Sequence, residues 1–469
     1  MNRYEEWLYS HSPAFLQSAF VTFAGARLAW HKYRHGYESF RFEIEATQWY
    51  GPKEMAAYQG KKLREVMHHA YTSVPFYRRV FRRLGLTLDD IRTTADLRKL
   101  PVTRREDVRR APQDFQAQDI KRSNYLVRHT AGTTGKPLLI LWEKRAIMRE
   151  YAFVARHRSW GGVLPGDRHA HFGGRSIVPV ERAKPPFWRY NAAERQTYFS
   201  AYHLTNANLP SYVEKIRQLE PLYVQGFPSS IHILARFALD HDLNLPATKS
   251  VFTSTETLLD NQRSSIEEAF HTRVLDRYGQ TELVSAITQC PEGSYHINSD
   301  YGVVELVRNG ESAAPGEVGE LLSTGFVNRG TALIRFESGD TARPAAGDCE
   351  CGRNGLPVIE ALEGRVDDYV VTPDGRIIGR LDHVYKDLTS IVESQIIQES
   401  PERLLVKVVP SQQYTNAVEA QLLAEVRKRV GDSMDIEVRV VSEIPRGPNG
   451  KFRSVVSDIP NPFKWKEAA

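Results

Sequence analysis

The stretch His129-Thr130-Ala131-Gly132-Thr133-Thr134-Gly135-Lys136-Pro137 lies between two apolar runs, Tyr125-Leu126-Val127 and Leu138-Leu139-Ile140-Leu141-Trp142. Glycines let the chain turn tightly and present bare N–H groups. The hydroxyls and Lys136 add donors, which together is what a polyphosphate needs. The segment is not a Walker A loop: only two residues separate Gly132 from Gly135, and Pro137 stands where a magnesium-binding hydroxyl would be. It also joins strand to strand, where a P-loop joins strand to helix. A Gly/Thr-rich structural hairpin is the alternative reading.

Outward from this loop the chain changes character. Residues 1–120 read as mostly helical, with helical spacing of apolar positions over Lys61–Ala70. Residues 124–310 alternate short apolar runs with amphipathic helices, such as Tyr212–Leu219 followed by Leu222-Tyr223-Val224, which predicts an α/β core. Residues 290–360 are richer in β-branched residues and turns, so antiparallel strands are expected there. The last hundred or so residues predict a small α+β unit, with strands at Leu404–Val409 and Ile436–Val441 and a helix over Ala417–Val430. The expected class is α/β: a large N-terminal domain over 1–365 with a β-rich subdomain, and a small C-terminal lid domain over 366–469.

Composition narrows the function. Lys+Arg is 62 against Asp+Glu 57, so the net charge is only +5, which fits a protein handling anionic nucleotides and gives no argument for nucleic acid. The three cysteines, an odd and small number in 469 residues, argue against a secreted disulfide framework and for a reducing, cytoplasmic location. The stretch Pro13–Trp30 carries Phe15, Leu16, Phe20, Phe23, Leu28 and Trp30, but Gln17, Ser18, Thr22 and Arg27 interrupt it. A spanning helix wants about 20 mostly apolar residues. A helix packed on the body of the protein is expected, with a membrane-surface helix as the alternative.

At the glycine-rich loop the chain resembles the adenylate-forming superfamily of acyl-CoA synthetases, luciferases and peptide-synthetase adenylation domains, whose loop reads Thr-Ser-Gly-Thr-Thr-Gly-x-Pro. Further motifs of that family follow in order. Arg277-Tyr278-Gly279-Gln280-Thr281-Glu282 is similar to its aromatic-Gly-x-Thr-Glu motif, and Arg335-Phe336-Glu337-Ser338-Gly339-Asp340 to its Arg-Tyr-x-Thr-Gly-Asp motif. Gly364-Arg365-Val366-Asp367-Asp368 resembles the hinge, and Pro445-Arg446-Gly447-Pro448-Asn449-Gly450-Lys451 the terminal Pro-Arg-x-x-x-Gly-Lys motif. Gly226-Phe227-Pro228-Ser229-Ser230, His171-Phe172-Gly173-Gly174-Arg175 and the cysteine pattern look most like the phenylacetate–CoA ligase branch, and within it the CapK-type proteins of capsular polysaccharide clusters.

The resemblance implies attack of a carboxylate on the α-phosphorus of ATP, with pyrophosphate leaving. It implies that Thr130, Gly132, Thr133, Thr134, Gly135 and Lys136 hold the β- and γ-phosphates. Tyr278, in its motif with Gly279 and Gln280, would stack on adenine, and Ser254-Thr255-Glu256 would flank it. Thr281 would contact the α-phosphate, and Glu282 would hold Mg²⁺, a hard cation that prefers oxygen ligands. Asp340 would accept both ribose hydroxyls, with Arg365 beside it. Asp367 would be the hinge, and Lys451 would enter the site only when the small domain closes. The acyl pocket is expected among His171, Phe172, Arg175 and Phe227, with Trp160 on a segment facing it and Arg175 placed to meet a second anionic group.

Cys290, His296, Cys349 and Cys351 form a second constellation. Three thiolates and an imidazole suit a closed tetrahedral Zn²⁺ site, which would be structural because no position is open. Three buried free thiols and a surface histidine are the alternative. The expected activity is thus ATP-dependent activation of an aromatic or other small acid as acyl-AMP, then transfer to CoA. Transfer to an amine, a sugar hydroxyl or a carrier-protein thiol is the alternative, because Tyr369–Ile378 differs from the Gly-rich segment that CoA-forming relatives carry after the hinge. A basic zinc protein on nucleic acid would leave Asp340, Arg365 and Lys451 without a role.

Overall fold

The computed structural model describes residues 3–459, apart from 35, 131–136, 180, 206, 257, 259, 364–368, 380, 386–387, 389, 411–412, 443, 445–454 and 458. Helices α1 (Arg3–His11), α2 (Ala14–Tyr33), α3 (Tyr37–Thr47), α4 (Pro52–Ser73), α5 (Pro75–Leu84) and α6 (Arg105–Arg110) come first, as the helical periodicity predicts. Pro52 sits at the first helical position of α4, where a missing N–H costs nothing, and the Glu54 carboxylate accepts the Gly51 N–H at 2.9 Å.

A hairpin of β1 (Tyr125–His129) and β2 (Leu139–Glu143) follows, antiparallel with His129 opposite Leu139. The glycine-rich loop therefore connects strand to strand. Helix α7 (Lys144–Trp160) leads into β3 (His169–Gly173), β4 (Trp188–Asn191) and β5 (Gln196–Ser200). Three βα crossovers then run α8 (Leu209–Leu219), β6 (Tyr223–Gly226), α9 (Pro228–Asp240), β7 (Ser250–Ser254), α10 (Asp260–Phe270) and β8 (Val274–Gly279). Strands β9 (Ala286–Gln289), β10 (Tyr295–Ile297), β11 (Gly302–Arg308), β12 (Glu311–Ser312), β13 (Gly319–Gly325), β14 (Phe336–Pro344) and β15 (Val358–Glu363) are the antiparallel stretch.

Among the described residues these strands join in one sheet, ordered β12-β11-β13-β14-β15-β10-β9-β8-β7-β6-β3-β5-β4. Strands β5-β3-β6-β7-β8 are parallel, and β4 and β9 flank them antiparallel. Phe172, Val224, Val251 and Val274 point to the face covered by α8, α9 and α10 and are fully buried there with Tyr212, Ile231, Leu234 and Ile266. Helix α7 covers the opposite face. In a parallel sheet ligands bind beyond the carboxyl ends of the strands, and residues 173–175, 226–227, 254–256 and 279–282 all follow such ends.

Past residue 368, β16 (Tyr369–Val371) and β17 (Ile377–Gly379) form a hairpin. Strands β18 (Ile391–Ser400), β19 (Arg403–Pro410), β20 (Asp435–Val440) and β21 (Val455–Ser457) form a four-stranded sheet, with α11 (Asn416–Val430) packing Leu422, Val426 and Val430 onto Ile396, Leu404, Val406 and Val408. Tyr202, from the large sheet's side, joins this core, and Arg376 donates to its carbonyl at 2.9 Å.

Candidate active site

Tyr278, the last-but-one residue of β8, donates its hydroxyl to the Asp340 carboxylate at 2.7 Å. The Gln280 amide donates to the Tyr278 hydroxyl and to Asp340 at 3.4 Å. Two motifs 62 residues apart thus meet. Asp340 reaches Tyr278 because β14 bulges: Glu337 faces Leu322 and Thr341 faces Glu320, leaving two extra residues on β14 between them, and Gly339 takes φ +78°. Burial, reinforced by the adjacent Asp340 charge, holds the Tyr278 phenol well above its ordinary pKa, so it remains a donor.

The Thr281 carbonyl accepts the Trp142 indole N–H at 2.7 Å, which ties this turn to the strand leaving the glycine-rich loop. Glu282 is 4% exposed and pairs one carboxylate oxygen with Arg105 at 2.9 Å. Its other oxygen has no partner among the described residues. Arg105 stands in a run of basic residues that reads as a solvated surface, so sequence gave no sign of this pairing. Thr255 sits at φ +82°, a strained conformation for a β-branched residue, between Ser254 at the end of β7 and Glu256. Thr130 closes the base of the loop: its N–H donates to the Leu138 carbonyl at 3.0 Å and its hydroxyl accepts the Leu138 N–H at 2.8 Å. Gly132, Thr133, Thr134, Gly135, Lys136, Arg365, Asp367 and Lys451 lie outside the described residues.

Beside this cluster, His171 on β3 projects toward α7. The Arg158 guanidinium, from α7, donates to Gln225 Oε1 at 2.5 Å, which fixes the amide so that Gln225 Nε2 faces His171 Nδ1 at 2.9 Å. Nδ1 is then the acceptor, and the ring proton resides on Nε2. Burial, with Arg175 and Arg158 nearby, pushes the His171 pKa down to about 3, so the ring is neutral near pH 7. The ring leans over Gly173, where a Cβ would come within 2.5 Å of Nε2. Arg175 donates to the Tyr198 hydroxyl at 3.2 Å, and the Tyr198 ring lies edge-on to His171 at 5.0 Å. Among the described residues neither Arg158 nor Arg175 has a carboxylate in salt-bridge range. Phe227 packs its ring where a Cβ on Gly174 would be 3.2 Å away.

Two expected pocket residues are not in this group. Phe172 is 0% exposed on the other face of the sheet, stacked on Phe199 at 4.9 Å. Neighbours in a strand point to opposite faces, so Phe172 and His171 cannot share a pocket. Trp160, at the end of α7, packs instead beside the cysteine cluster: its ring lies edge-on to His296 at 6.4 Å and under Arg353 at 4.1 Å.

Cys290, His296, Cys349 and Cys351 offer ligand atoms all within 4.8 Å of one another. The sulfurs of Cys290 and Cys349 are 3.6 Å apart, and Cys351 Sγ is 3.3 Å from His296 Nε2. His296 Nδ1 is 2.9 Å from the Leu356 carbonyl and donates to it, which leaves the Nε2 lone pair facing the thiols. Three soft sulfurs and one imidazole nitrogen, with the fourth position filled, fit a structural Zn²⁺.

Comparison with known proteins places this geometry. Residues 370–458 match the CapK C-terminal domain family. The chain is 28% identical to Protein CapK of Staphylococcus aureus over 97% of its length and 99% of that protein's. It is 24% identical to the phenylacetate-coenzyme A ligase of Thermus thermophilus over 86% of the chain and 97% of the relative, and 26% identical to that of Escherichia coli over 68% and 72%. A solved structure of 2-hydroxyisobutyryl-CoA ligase, in complex with 2-HIB-AMP and CoA in the thioesterification state, shares the fold with a TM-score of 0.56 and 19% identity, over 88% of this chain and 91% of that one. The same ligase with 2-HIB-AMP in the postadenylation state gives 0.54 and 20%, over 87% and 90%. The chain is thus similar over nearly its whole length to CapK and, over most of it, to the phenylacetate–CoA ligases of the adenylate-forming superfamily, and it is an AMP-forming carboxylate ligase.

Proposed function

We propose that this enzyme activates a small carboxylic acid, aromatic or otherwise, as its acyl-AMP and then passes the acyl group to CoA. The observation that carries this reading is the convergence of Tyr278, Gln280 and Asp340 into one hydrogen-bonded cluster beyond the carboxyl ends of the parallel strands. In that arrangement Asp340 exchanges its Tyr278 and Gln280 partners for ribose hydroxyls, and the Tyr278 ring offers a face to adenine. The acid's carboxylate attacks the α-phosphorus and pyrophosphate departs. Thr281 and the glycine-rich loop donate to the phosphate oxygens on which charge builds.

Mg²⁺ supplies neutralisation of that charge, and Glu282 would give it the carboxylate oxygen that Arg105 leaves free. Zn²⁺ would be held by Cys290, His296, Cys349 and Cys351 and serve the fold. Residues 366–469 act as the lid, which delivers Lys451 for adenylation and turns about Asp367 for transfer. The acid lies along His171 and Arg175, with Phe227 at the mouth. His171 Nε2–H is a neutral donor there, and Arg175 suits an acid with a second polar or anionic group. A second reading, with an amine, hydroxyl or carrier thiol as acceptor, draws on the β16–β17 hairpin that stands after the hinge.

ATP–pyrophosphate exchange over a panel of acids, followed by trapping with CoA or amines, tests the reading. Exchange supported by one class of acid is expected. A nucleotide complex with ATP away from Tyr278 and Asp340 would overturn it.

A further inference from the structure

Helix α2 is inverted relative to an ordinary surface helix. Its polar side faces the protein and its apolar side faces out. On the inner side Gln17 is 0% exposed; its amide donates to the carbonyls of Tyr9 at 2.8 Å and Ser12 at 2.9 Å and accepts from Arg189 at 2.6 Å. Ser18 accepts the Tyr190 N–H at 3.3 Å. Thr22 donates to the Tyr190 carbonyl at 3.3 Å and accepts the Ala192 N–H at 3.1 Å. Gly25 admits Asn191, whose side chain would lie 2.3 Å from a Cβ, and Lys32 pairs with Glu194 at 2.6 Å. These contacts have one purpose in the fold: β4 is the edge of the large sheet, and α2 satisfies its unpaired backbone groups.

The edge explains the inner side but not the outer one. Phe15, Phe23 and Trp30 are 71%, 75% and 69% exposed, and Leu16 and Phe20 more than 40%. Leu16, Phe20, Phe23, Arg27 and Trp30 fall at spacings of four, three, four and three, which is one stripe along the helix. From Trp7 to Tyr37 the sequence contains no Asp or Glu. Among the described residues Arg27 and Arg34 have no carboxylate partner.

We propose that α2 lays the protein on an anionic lipid surface, with the stripe in the headgroup boundary and Arg27 and Arg34 on lipid phosphates. The charge pattern selects this occupant. A second copy of the chain docked on the same face would seal Arg27 against an acid-free stripe, whereas at a bilayer its long side chain reaches the headgroups while its stem stays apolar. No helix among the described residues is long and apolar enough to cross a membrane, so the helix lies on the surface instead of spanning it. This proposal is independent of the acyl chemistry.

Cosedimentation of the full chain with vesicles of phosphatidylcholine and phosphatidylglycerol, against phosphatidylcholine alone, tests it. Binding to the anionic vesicles is expected, weakening with salt. The double variant Phe20→Glu/Phe23→Glu should lose at least roughly tenfold in partitioning, since each ring removed from the boundary forfeits one large apolar burial. Arg27→Glu, which leaves the apolar stripe intact, should lose the preference for anionic lipid, and an unchanged thermal melt shows that each variant is folded. Equal binding to neutral and anionic vesicles overturns the proposal. So does a dimer in solution that the double variant dissociates while vesicle binding is absent.

Discussion

Acid should weaken this protein through His171, and the structure gives the size. The ring is partly buried, and desolvation with Arg175 and Arg158 nearby pushes its folded pKa down to about 3, against an ordinary value of 6.5. Below about pH 6.5 the unfolded chain takes up a proton there that the folded protein refuses. Stability is therefore fully present above that value and is lost as the pH falls toward the folded pKa. Between about pH 7.5 and about pH 5, one such histidine withdraws about 2 kcal/mol, with a local slope near 1.3 kcal/mol per pH unit. His171→Gln keeps a polar amide beside Gln225 but cannot titrate. Urea unfolding of both proteins at the two pH values reads the effect by difference, because His157, His169 and His232, whose pKa values burial also lowers, are present in each, and only His169 feels the His171 charge. The variant should show an acid-induced loss smaller than wild type by about 2 kcal/mol. Equal losses would mean that folded His171 accepts its proton without penalty. The Arg158–Gln225–His171 relay, and the neutral donor at the pocket, would then be wrong.

Cys349→Ser should lower the zinc content from about one ion per chain and depress the melting temperature, without direct damage to adenylation, because a closed four-ligand site has no place for substrate; elemental analysis and calorimetry read both. Asp340→Asn removes the charged acceptor at the ribose position and should weaken ATP binding by about tenfold or more, measured by titration calorimetry, with the fold retained. Lys451→Ala should slow acyl-AMP formation by roughly 10²–10³ while transfer from supplied acyl-AMP stays near wild type. Single-turnover kinetics of each half-reaction separates these, and equal slowing of both would refute lid delivery of the lysine.

Much of the site was readable because its parts are local. A glycine-rich loop between apolar runs declares a strand-to-strand turn, and β1 and β2 form it. The Cys290–Cys351 pattern declares a cluster because cysteine is scarce in this chain. The positions that escaped are partners set by tertiary approach. Arg105 meets Glu282 across 177 residues, and Arg158 meets Gln225 across 67. Nothing in a run such as Arg104-Arg105-Glu106-Asp107 distinguishes the arginine that turns inward. Trp160 is expected on a segment facing the acyl pocket, but it ends α7 beside the cysteine cluster, edge-on to His296.

Phe172 is a different kind of error, since the means to avoid it lay in the sequence. His169-Ala170-His171-Phe172-Gly173 is a strand flanked by loops, and a strand's period of two separates His171 from Phe172. Choosing His171 for the pocket commits Ala170 and Phe172 to the helix-covered core, where both are 0% exposed. The same register explains Gly226. It ends β6 beside Phe172, and a Cβ there would lie 1.9 Å from the Phe172 carbonyl oxygen, at φ +152°. Glycine lets β6 close on β3 at that point, so the Phe227 N–H donates to the same carbonyl at 2.9 Å and its ring turns back over Gly174. The buried aromatic and the glycine thus position the Phe227 ring against Gly174, where the acyl pocket is proposed, from the opposite side of the sheet. Phe172 acts on the site through its backbone, which explains why its neighbours look functional while its own side chain is core.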